Sequence, residues 1–218
     1  MRNLEKDAVE MAKRREKMLK VGFRLFSEKQ IEPVAMQEVA KECRLGIATV
    51  YRYFHTKLVF AIAIATKKWE DYYVKVEKMY KKHGGSKMTA ARELEFFLDC
   101  FIDLYKNHRD VLRFNRNFDT YIRHAGPTEE EMRSYNEAVE VFAKKFHVVY
   151  EKAQTDGTLK VDMPERKFFL SSLYIMLSVA GKYAEGLIYP LGMEEEEDMT
   201  EELLRLKKMI LDEYQAKL

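Results

Sequence analysis

The stretch that most constrains the fold covers residues 34–57 and reads VAMQEVAKECRLGIATVYRYFHTK. Met36 and Val39 have the spacing of one face of a short amphipathic helix. Val50 and Phe54 are four residues apart, so they share one face of a second short helix. The stretch therefore predicts two short helices that are joined by a tight turn and packed through these apolar faces.

The second short helix has an unusual set of side chains outside its apolar face. They are small, aromatic or basic: Ile47, Ala48, Thr49, Tyr51, Arg52 and Tyr53. Folding alone gives little reason for a helix of about two turns to expose such a surface. Hydroxyl and guanidinium groups hydrogen-bond DNA phosphates and base edges. The pattern therefore predicts a helix that enters a DNA major groove.

Over residues 18–57 the chain resembles the tetracycline-repressor (TetR) family of bacterial regulators. The residues that match are Met18, Leu19, Gly22 (where the family pattern has Ala), Leu25, Phe26, Glu38-Val39-Ala40, Thr49-Val50-Tyr51, Tyr53-Phe54 and Lys57. The resemblance implies an all-α chain. Residues 1–57 would form a three-helix DNA-binding head with a helix-turn-helix, rigidly joined to a helical-bundle body for ligand binding and dimerisation over residues 58–218.

The resemblance also implies roles for single residues of the head. Tyr51, Tyr53 and Lys57 match family positions that hold phosphates. Packing is the alternative role for Tyr51, and a surface position is the alternative for Lys57. The positions that face base edges in the family correspond to Gln37, Ile47, Ala48, Thr49 and Arg52. Glutamine pairs well with adenine, and arginine with guanine or phosphate.

The chain departs from the family pattern at both ends of the first short helix. Ala35 stands where a Ser or Thr usually caps that helix, a loss of about 1 kcal/mol. Arg44 replaces a turn glycine and Gly46 replaces a serine. A left-handed Arg44 would be strained by roughly 1 kcal/mol, so unusual dihedrals at Gly46 are the alternative. Arg44 is also a candidate for a replacement phosphate contact.

Charge is distributed unevenly along the chain. Residues 1–57 hold 13 Lys/Arg and 8 Asp/Glu, a local charge of +5, although the whole chain carries only +2. A basic head on an acidic body is typical of proteins that bind phosphate backbones. Within the head, the basic cluster at residues 13–17 either reaches the DNA backbone or forms a solvated helix face.

Composition favours an all-helical protein of the cytoplasm. Only 4 Pro and 9 Gly occur among 218 residues. Two cysteines are too few for a disulfide scaffold or a cysteine-rich zinc site, which favours a reducing cytosol. The N-terminus lacks an apolar signal core, and the most apolar stretch, residues 168–181, is too short to span a bilayer. No membrane association is expected.

The body shows helical patterns separated by clear breaks. A long helix from residue 57 should end before Gly84-Gly85. Ser86 and Thr200 are predicted helix caps, and Thr128 with Glu131 a capping box. The five helices predicted beyond this break cover residues 86–107, 109–124, 128–155, 163–189 and 201–217.

The body carries many large soft side chains but no catalytic motif. HExxH, ExxH, glycine-rich phosphate loops and histidines at metal spacing are all missing from the sequence, so neither an enzyme nor a cofactor is expected. The resemblance implies that some body aromatics surround a small apolar or aromatic effector, although most are simply core. The candidates are Phe101, Tyr105, Phe114, Phe118, Tyr121, Phe142 and Tyr174.

The last two predicted helices suit a four-helix homodimer interface. Residues 168–188 are unusually apolar, and Leu203, Leu206, Ile210 and Tyr214 recur at helical spacing. Packing inside one protomer is the alternative.

The resemblance implies a homodimeric regulator, a repressor of genes, that binds a pseudo-palindromic double-stranded DNA operator. A small-molecule effector would favour a conformer whose heads are wrongly spaced for that operator. The altered cap and turn leave one alternative, a dimer with weakened DNA binding that acts as a ligand- or protein-binding module.

Overall fold

The computed structural model describes residues 4–186 and 198–216, and within these ranges the chain is all-α, as predicted. A 3-10 turn, Gly85–Lys87, precedes α5, and a π-helical segment, Leu170–Tyr174, connects α8 to α9. The helices are α1 (Leu4–Lys29), α2 (Met36–Cys43), α3 (Ile47–Tyr53), α4 (Lys57–Lys82), α5 (Ala90–Asn107), α6 (Arg109–Ala125), α7 (Glu129–Asp156), α8 (Glu165–Phe169), α9 (Ile175–Glu185) and α10 (Thr200–Tyr214).

Packing divides the chain into two compact units. The first comprises the residues up to Trp69 together with Arg113–Ala138, and the second comprises Glu70–Leu112 together with the residues from Val139 onward. Helices α4, α6 and α7 each contribute residues to both units. The functional boundary between residues 57 and 58 stays a prediction.

Three buried aromatic rings form the centre of the first unit. The ring of Phe60 lies 5.7 Å from that of Phe26 and 4.7 Å from that of Phe54, centroid to centroid. Gly22 of α1 faces this cluster. A Cβ atom at Gly22 would lie 2.3 Å from Cζ of Phe60 and 2.8 Å from Cδ1 of Ile64. Gly22 is therefore required by the close approach of α1 and α4.

Helix α6 is fastened to α1 within the first unit. The side-chain amide of Asn117 donates to the carbonyl oxygen of Phe26 at 2.8 Å. The rings of Phe114 and Phe23 lie 5.4 Å apart, and the ammonium of Lys68 stands 3.7 Å from the Phe23 ring centroid. Because one of these contacts is a hydrogen bond with a fixed donor and acceptor, it sets the position of α6 along α1.

A buried ion pair lies in the second unit. Glu93 of α5 is 0% exposed, and its Oε1 accepts from the Tyr80 hydroxyl at 2.8 Å and from the ammonium of Lys152. Lys152 also donates to the carbonyl oxygen of Met88 at 2.9 Å. The other carboxylate oxygen of Glu93, Oε2, has no hydrogen-bond partner among the described residues. The Lys152 ammonium therefore supplies the neutralising charge for a carboxylate that is removed from water.

The predicted capping box at α7 is confirmed. The Glu131 amide donates to Oγ1 of Thr128 at 3.2 Å, and the Thr128 amide donates to Oε2 of Glu131 at 2.8 Å. Both groups thus satisfy helix-terminal donors.

The predicted caps of α5 and α10 are wrong. Thr89, not Ser86, caps α5, because the Gly84-Gly85 break is followed by a 3-10 turn that contains Ser86. Thr200 is the first residue of α10 and not its cap. Its amide and hydroxyl both donate to the carboxylate of Asp198. In each case a polar side chain two or three residues away offers the better geometry.

The helix predicted over residues 163–189 has a π-helical turn in its middle. Ser171 Oγ donates to the carbonyl of Lys167 at 2.7 Å, and Ser172 Oγ donates to that of Phe168 at 2.5 Å. Serine hydroxyls that bond back to carbonyls one turn earlier compete with the backbone ladder, which widens at this point. Gly186, with φ 90°, follows the last residue of α9. The end expected near residue 189 lies outside the described residues.

Helix α10 packs inside the chain. Leu203, Ile210 and Tyr214 are 0%, 5% and 4% exposed, and Tyr214 lies edge-on to Phe168 with ring centroids 4.9 Å apart. For these residues the structure favours the alternative, packing within one protomer. Leu206 is half-buried.

Candidate nucleic-acid interface

The predicted helix-turn-helix is present, and its turn is made by Arg44. Arg44 has φ 54° and ψ 44°, in the left-handed region, and its amide donates to the carbonyls at the end of α2. Gly46 has φ −70° and ψ 143°, which any residue adopts, so the alternative that Gly46 carries the unusual dihedrals is wrong. A left-handed residue directly after a helix is a common way to satisfy these carbonyls, and here an arginine takes that conformation.

The strain at Arg44 gives a direct test. Arg44→Gly should raise the free energy of unfolding by about 0.5–1 kcal/mol, because glycine adopts the left-handed region without a Cβ penalty. Arg44→Ala, the matched control, keeps the Cβ atom and should give no gain. Urea unfolding of both variants measures the difference, and equal stabilities would contradict the assignment of strain to this residue.

Helix α3 is anchored on one side and open on the other. Val50 is 0% exposed and Phe54 is 2% exposed, whereas Tyr51 is 40% exposed. Ala48 and Arg52 are also exposed, and Ile47, Thr49 and Tyr53 are half-buried. The outward surface therefore carries small side chains, hydroxyls and one guanidinium, which are the groups that contact bases and phosphates.

Helix α2 begins without a side-chain cap. Ala35 precedes it in an extended conformation, and no side chain in the described part of the chain caps its first turn. Gln37, in that first turn, is exposed. The Glu38 amide donates to the Ala35 carbonyl at 3.0 Å, whereas the exposed side chain of Gln37 presents a donor to an external acceptor.

Lys57 is engaged with the protein itself. Its ammonium donates to the carbonyl oxygens of Glu32 at 2.7 Å and Val34 at 3.2 Å, and lies 5.7 Å from the ring centroid of Tyr121. Burial lowers the pKa of Lys57, an effect that the charge of Glu32 opposes. Lys57 thereby fastens the loop before α2 to the start of α4. To contact a phosphate, the ammonium would have to exchange these carbonyl acceptors for phosphate oxygens. The phosphate contact of Lys57 therefore stays a prediction.

Sequence reasoning missed the position of Arg15. Its guanidinium lies 5.5 Å from the ring centroid of Phe54, at the end of α3. The spacing of charges along α1 identifies a basic cluster but not which of its members reaches α3. Only the crossing of α1 and α3 in three dimensions decides that.

The aromatic residues predicted to surround an effector fall in both units. Phe114, Phe118 and Tyr121 belong to the first unit, where the rings of Phe114 and Phe118 stack 6.0 Å apart. The others belong to the second unit: Phe101 and Phe142, half-buried, Tyr105, 0% exposed, and Tyr174, 47% exposed. The structure thus does not gather all seven within one unit, and their role in ligand binding stays a prediction.

The described part of the chain has neither a cluster of metal-binding side chains nor a helix suited to cross a membrane. No group of three or more His, Cys, Asp or Glu side chains there is arranged to hold a metal ion. Among the helices described above, none combines the length and the apolar character that crossing a membrane requires.

Parts of this chain are similar in sequence to known regulatory proteins. Residues 18–64 match the family described as "Bacterial regulatory proteins, tetR family". An HTH-type transcriptional regulator of Staphylococcus aureus is 23% identical over 100 residues, which cover 46% of this chain and 52% of that protein, about half of each.

Two crystal structures share the fold over nearly their whole length. One is a transcriptional regulator of Saccharomonospora viridis in complex with choline, with TM-score 0.70 and 12% identity, covering 94% of this chain and 100% of that one. The other is the regulator FadR of Bacillus subtilis in complex with stearoyl-CoA, with TM-score 0.67 and 13% identity, covering 91% and 98%. With its helix-turn-helix, the N-terminal region of the chain is similar to the TetR family of bacterial regulatory proteins, and the whole chain shares the fold of these two regulators.

Proposed function

We propose that the protein is a transcriptional repressor whose helix α3 enters the major groove of operator DNA. The exposed face of α3 carries this proposal, because Tyr51 and Arg52 are held outward by the buried anchors Val50 and Phe54. The base-facing set is Gln37, Ile47, Ala48, Thr49 and Arg52, and the phosphate-facing set is Arg44, Tyr51, Tyr53 and Lys57. The local charge of +5 in residues 1–57 supports association with a polyanion.

A homodimer would place two copies of α3 on half-sites of a pseudo-palindromic operator. The second unit offers an apolar surface for this association. Leu170, Tyr174 and Ile175 are 43%, 47% and 42% exposed around the π-helical turn. Neighbouring exposed apolar side chains of this kind are typical of a protein–protein contact.

The proposed effector is a small apolar or aromatic molecule bound in the C-terminal body, and its binding changes operator affinity. Two proteins with this fold are described in complex with small molecules, choline in one and stearoyl-CoA in the other. The aromatic and half-buried side chains Phe101 and Phe142 of the second unit are suitable contacts for such a molecule. An effector of this kind acts only if it binds the DNA-competent and the incompetent states with different affinity.

The test begins with selection of sequences from a random DNA pool by the whole protein. Mobility shifts on the selected duplex then compare Arg52→Ala with Arg92→Ala, an exposed arginine of the second unit. Arg52→Ala should weaken binding roughly 10- to 100-fold and relax sequence preference at one position, as loss of a base contact does. Arg92→Ala should leave the affinity unchanged.

Two outcomes would count against the repressor. If Arg52→Ala and Arg92→Ala bind the duplex with equal affinity, α3 does not contact DNA as proposed. Failure of the wild-type protein to select any sequence would favour the alternative, a dimer with weakened DNA binding that acts as a ligand- or protein-binding module. The uncapped start of α2 at Ala35 and the strained turn at Arg44 are the observations that favour this alternative.

A further inference from the structure

We propose that the N-terminal half of α1 is a second DNA-binding element, which holds the phosphate backbone beside the groove that α3 occupies. The proposal rests on the proposed function and adds a surface to it. The surface is the basic strip, defined as Lys13, Arg14, Arg15 and Lys17.

The first observation is that this half of α1 has no core of its own. Every residue from 8 to 17 is exposed, including Val9 at 54% and Met11 at 57%, and burial begins only at Met18. The segment continues the packed second half of α1, a helix of 26 residues, and does not itself pack against the protein core. Its exposed side chains therefore form a surface that is open to a partner.

The second observation is the position of the strip beside α3. The Arg15 guanidinium lies 5.5 Å from the ring centroid of Phe54, the residue directly after α3. The carbonyl oxygen of Lys17 lies 4.0 Å from Sγ of Cys43, the residue before the strained turn at Arg44. Two members of the strip thus lie close to the turn and to the end of the proposed recognition helix, Lys17 through its backbone and Arg15 through its side chain.

The third observation is charge complementarity. Residues 12–20 hold five basic side chains and one acidic side chain, Glu16. Residues 8–17 span about 15 Å of helix, and duplex DNA presents about nine phosphate charges over that length. Glu10 pairs with Arg14 at 3.1 Å on the surface, a contact that water screens and that a phosphate would replace at little cost. DNA is the partner that fits both observations, because it is a polyanion and because it would already lie beside α3.

The experiment compares two triple variants of the whole protein on the selected duplex over a range of salt. The strip variant is Lys13→Ala/Arg14→Ala/Lys17→Ala, and it spares Arg15 because Arg15 contacts Phe54. The control removes three exposed lysines of the second unit in the same way, Lys78→Ala/Lys81→Ala/Lys82→Ala. Alanine at these exposed helical positions keeps the fold, which circular dichroism checks.

The strip variant should make the slope of log K against log salt less negative by about 3. The upper limit for this change is about 5, the contribution of six phosphate contacts per dimer. Its affinity at about 0.1 M salt should fall at least tenfold, and the control should match the wild type. A strip variant with wild-type slope overturns the inference while leaving the repressor intact. If the slope is unchanged and dimerisation is weakened, the strip belongs to a protein–protein contact. That result also overturns the inference. Failure of the wild type to select DNA is a failure of the proposed function itself.

Discussion

Lys152→Met should destabilise the protein by about 3–5 kcal/mol, because it leaves the Glu93 carboxylate buried without a counter-charge. Glu93 is 0% exposed, and within the described ranges one of its oxygens already lacks a partner, so little water or protein is available to compensate. The Tyr80 hydroxyl would remain as a neutral donor at 2.8 Å. Urea unfolding followed by circular dichroism, at constant protein concentration, measures the loss.

The control for this change is a lysine of the same helix with a surface partner. Lys144 of α7 pairs with Glu140 at 3.0 Å, and both side chains are more than half exposed. Lys144→Met should change stability by no more than about 0.5 kcal/mol. The double variant Glu93→Met/Lys152→Met removes both buried charges and should recover most of the loss. A loss from Lys152→Met no larger than that from Lys144→Met would show that the buried pair carries little of the stability.

Gly22→Val should destabilise the first unit by about 3 kcal/mol through overpacking. Even the Cβ atom alone would lie 2.3 Å from the Phe60 ring, well inside contact distance. That ring cannot move aside easily, because Phe26 and Phe54 pack against it and none of the three is more than 2% exposed. Operator affinity should fall as well, since α1 and α4 hold the proposed recognition helix in place.

Gly46→Ala is the control for Gly22→Val. A Cβ atom at Gly46 meets nothing within 4 Å, and φ is −70°, so the change should lie within about 0.5 kcal/mol. Thermal unfolding of the two variants gives the comparison. A Gly22→Val protein as stable as the wild type would mean that the approach of α1 and α4 is looser than described.

The order and class of the elements could be predicted from the sequence because they depend on local patterns. Apolar spacing identified α2 and α3, and the Thr128 to Glu131 spacing identified the capping box of α7. Helix starts were less predictable where several capping residues stand close together. Ser86 and Thr89 are three residues apart, and Thr89 caps α5 because Ser86 is part of the 3-10 turn.

For the candidate DNA-binding site, the sequence could predict only the directions of side chains that share one helix. The outward direction of Tyr51 and Arg52 follows from the anchors Val50 and Phe54 on the same helix. The contacts of Lys57 do not, because its carbonyl acceptors lie 23 and 25 residues away in the chain. The aromatic residues predicted to surround an effector could not be placed for the same reason. Periodicity shows that an aromatic side chain faces inward, but not which residues it contacts.

The π-helical turn at Leu170–Tyr174 changes how this chain should be aligned with other sequences. A π turn accommodates one more residue than an α turn, so the side chains before and after it are offset by about 100° from a regular helix. A relative with an unbroken α-helix here would need a one-residue gap at Ser171 or Ser172 to bring equivalent surfaces into register. An alignment without that gap would compare solvent-facing positions of one protein with interior positions of the other.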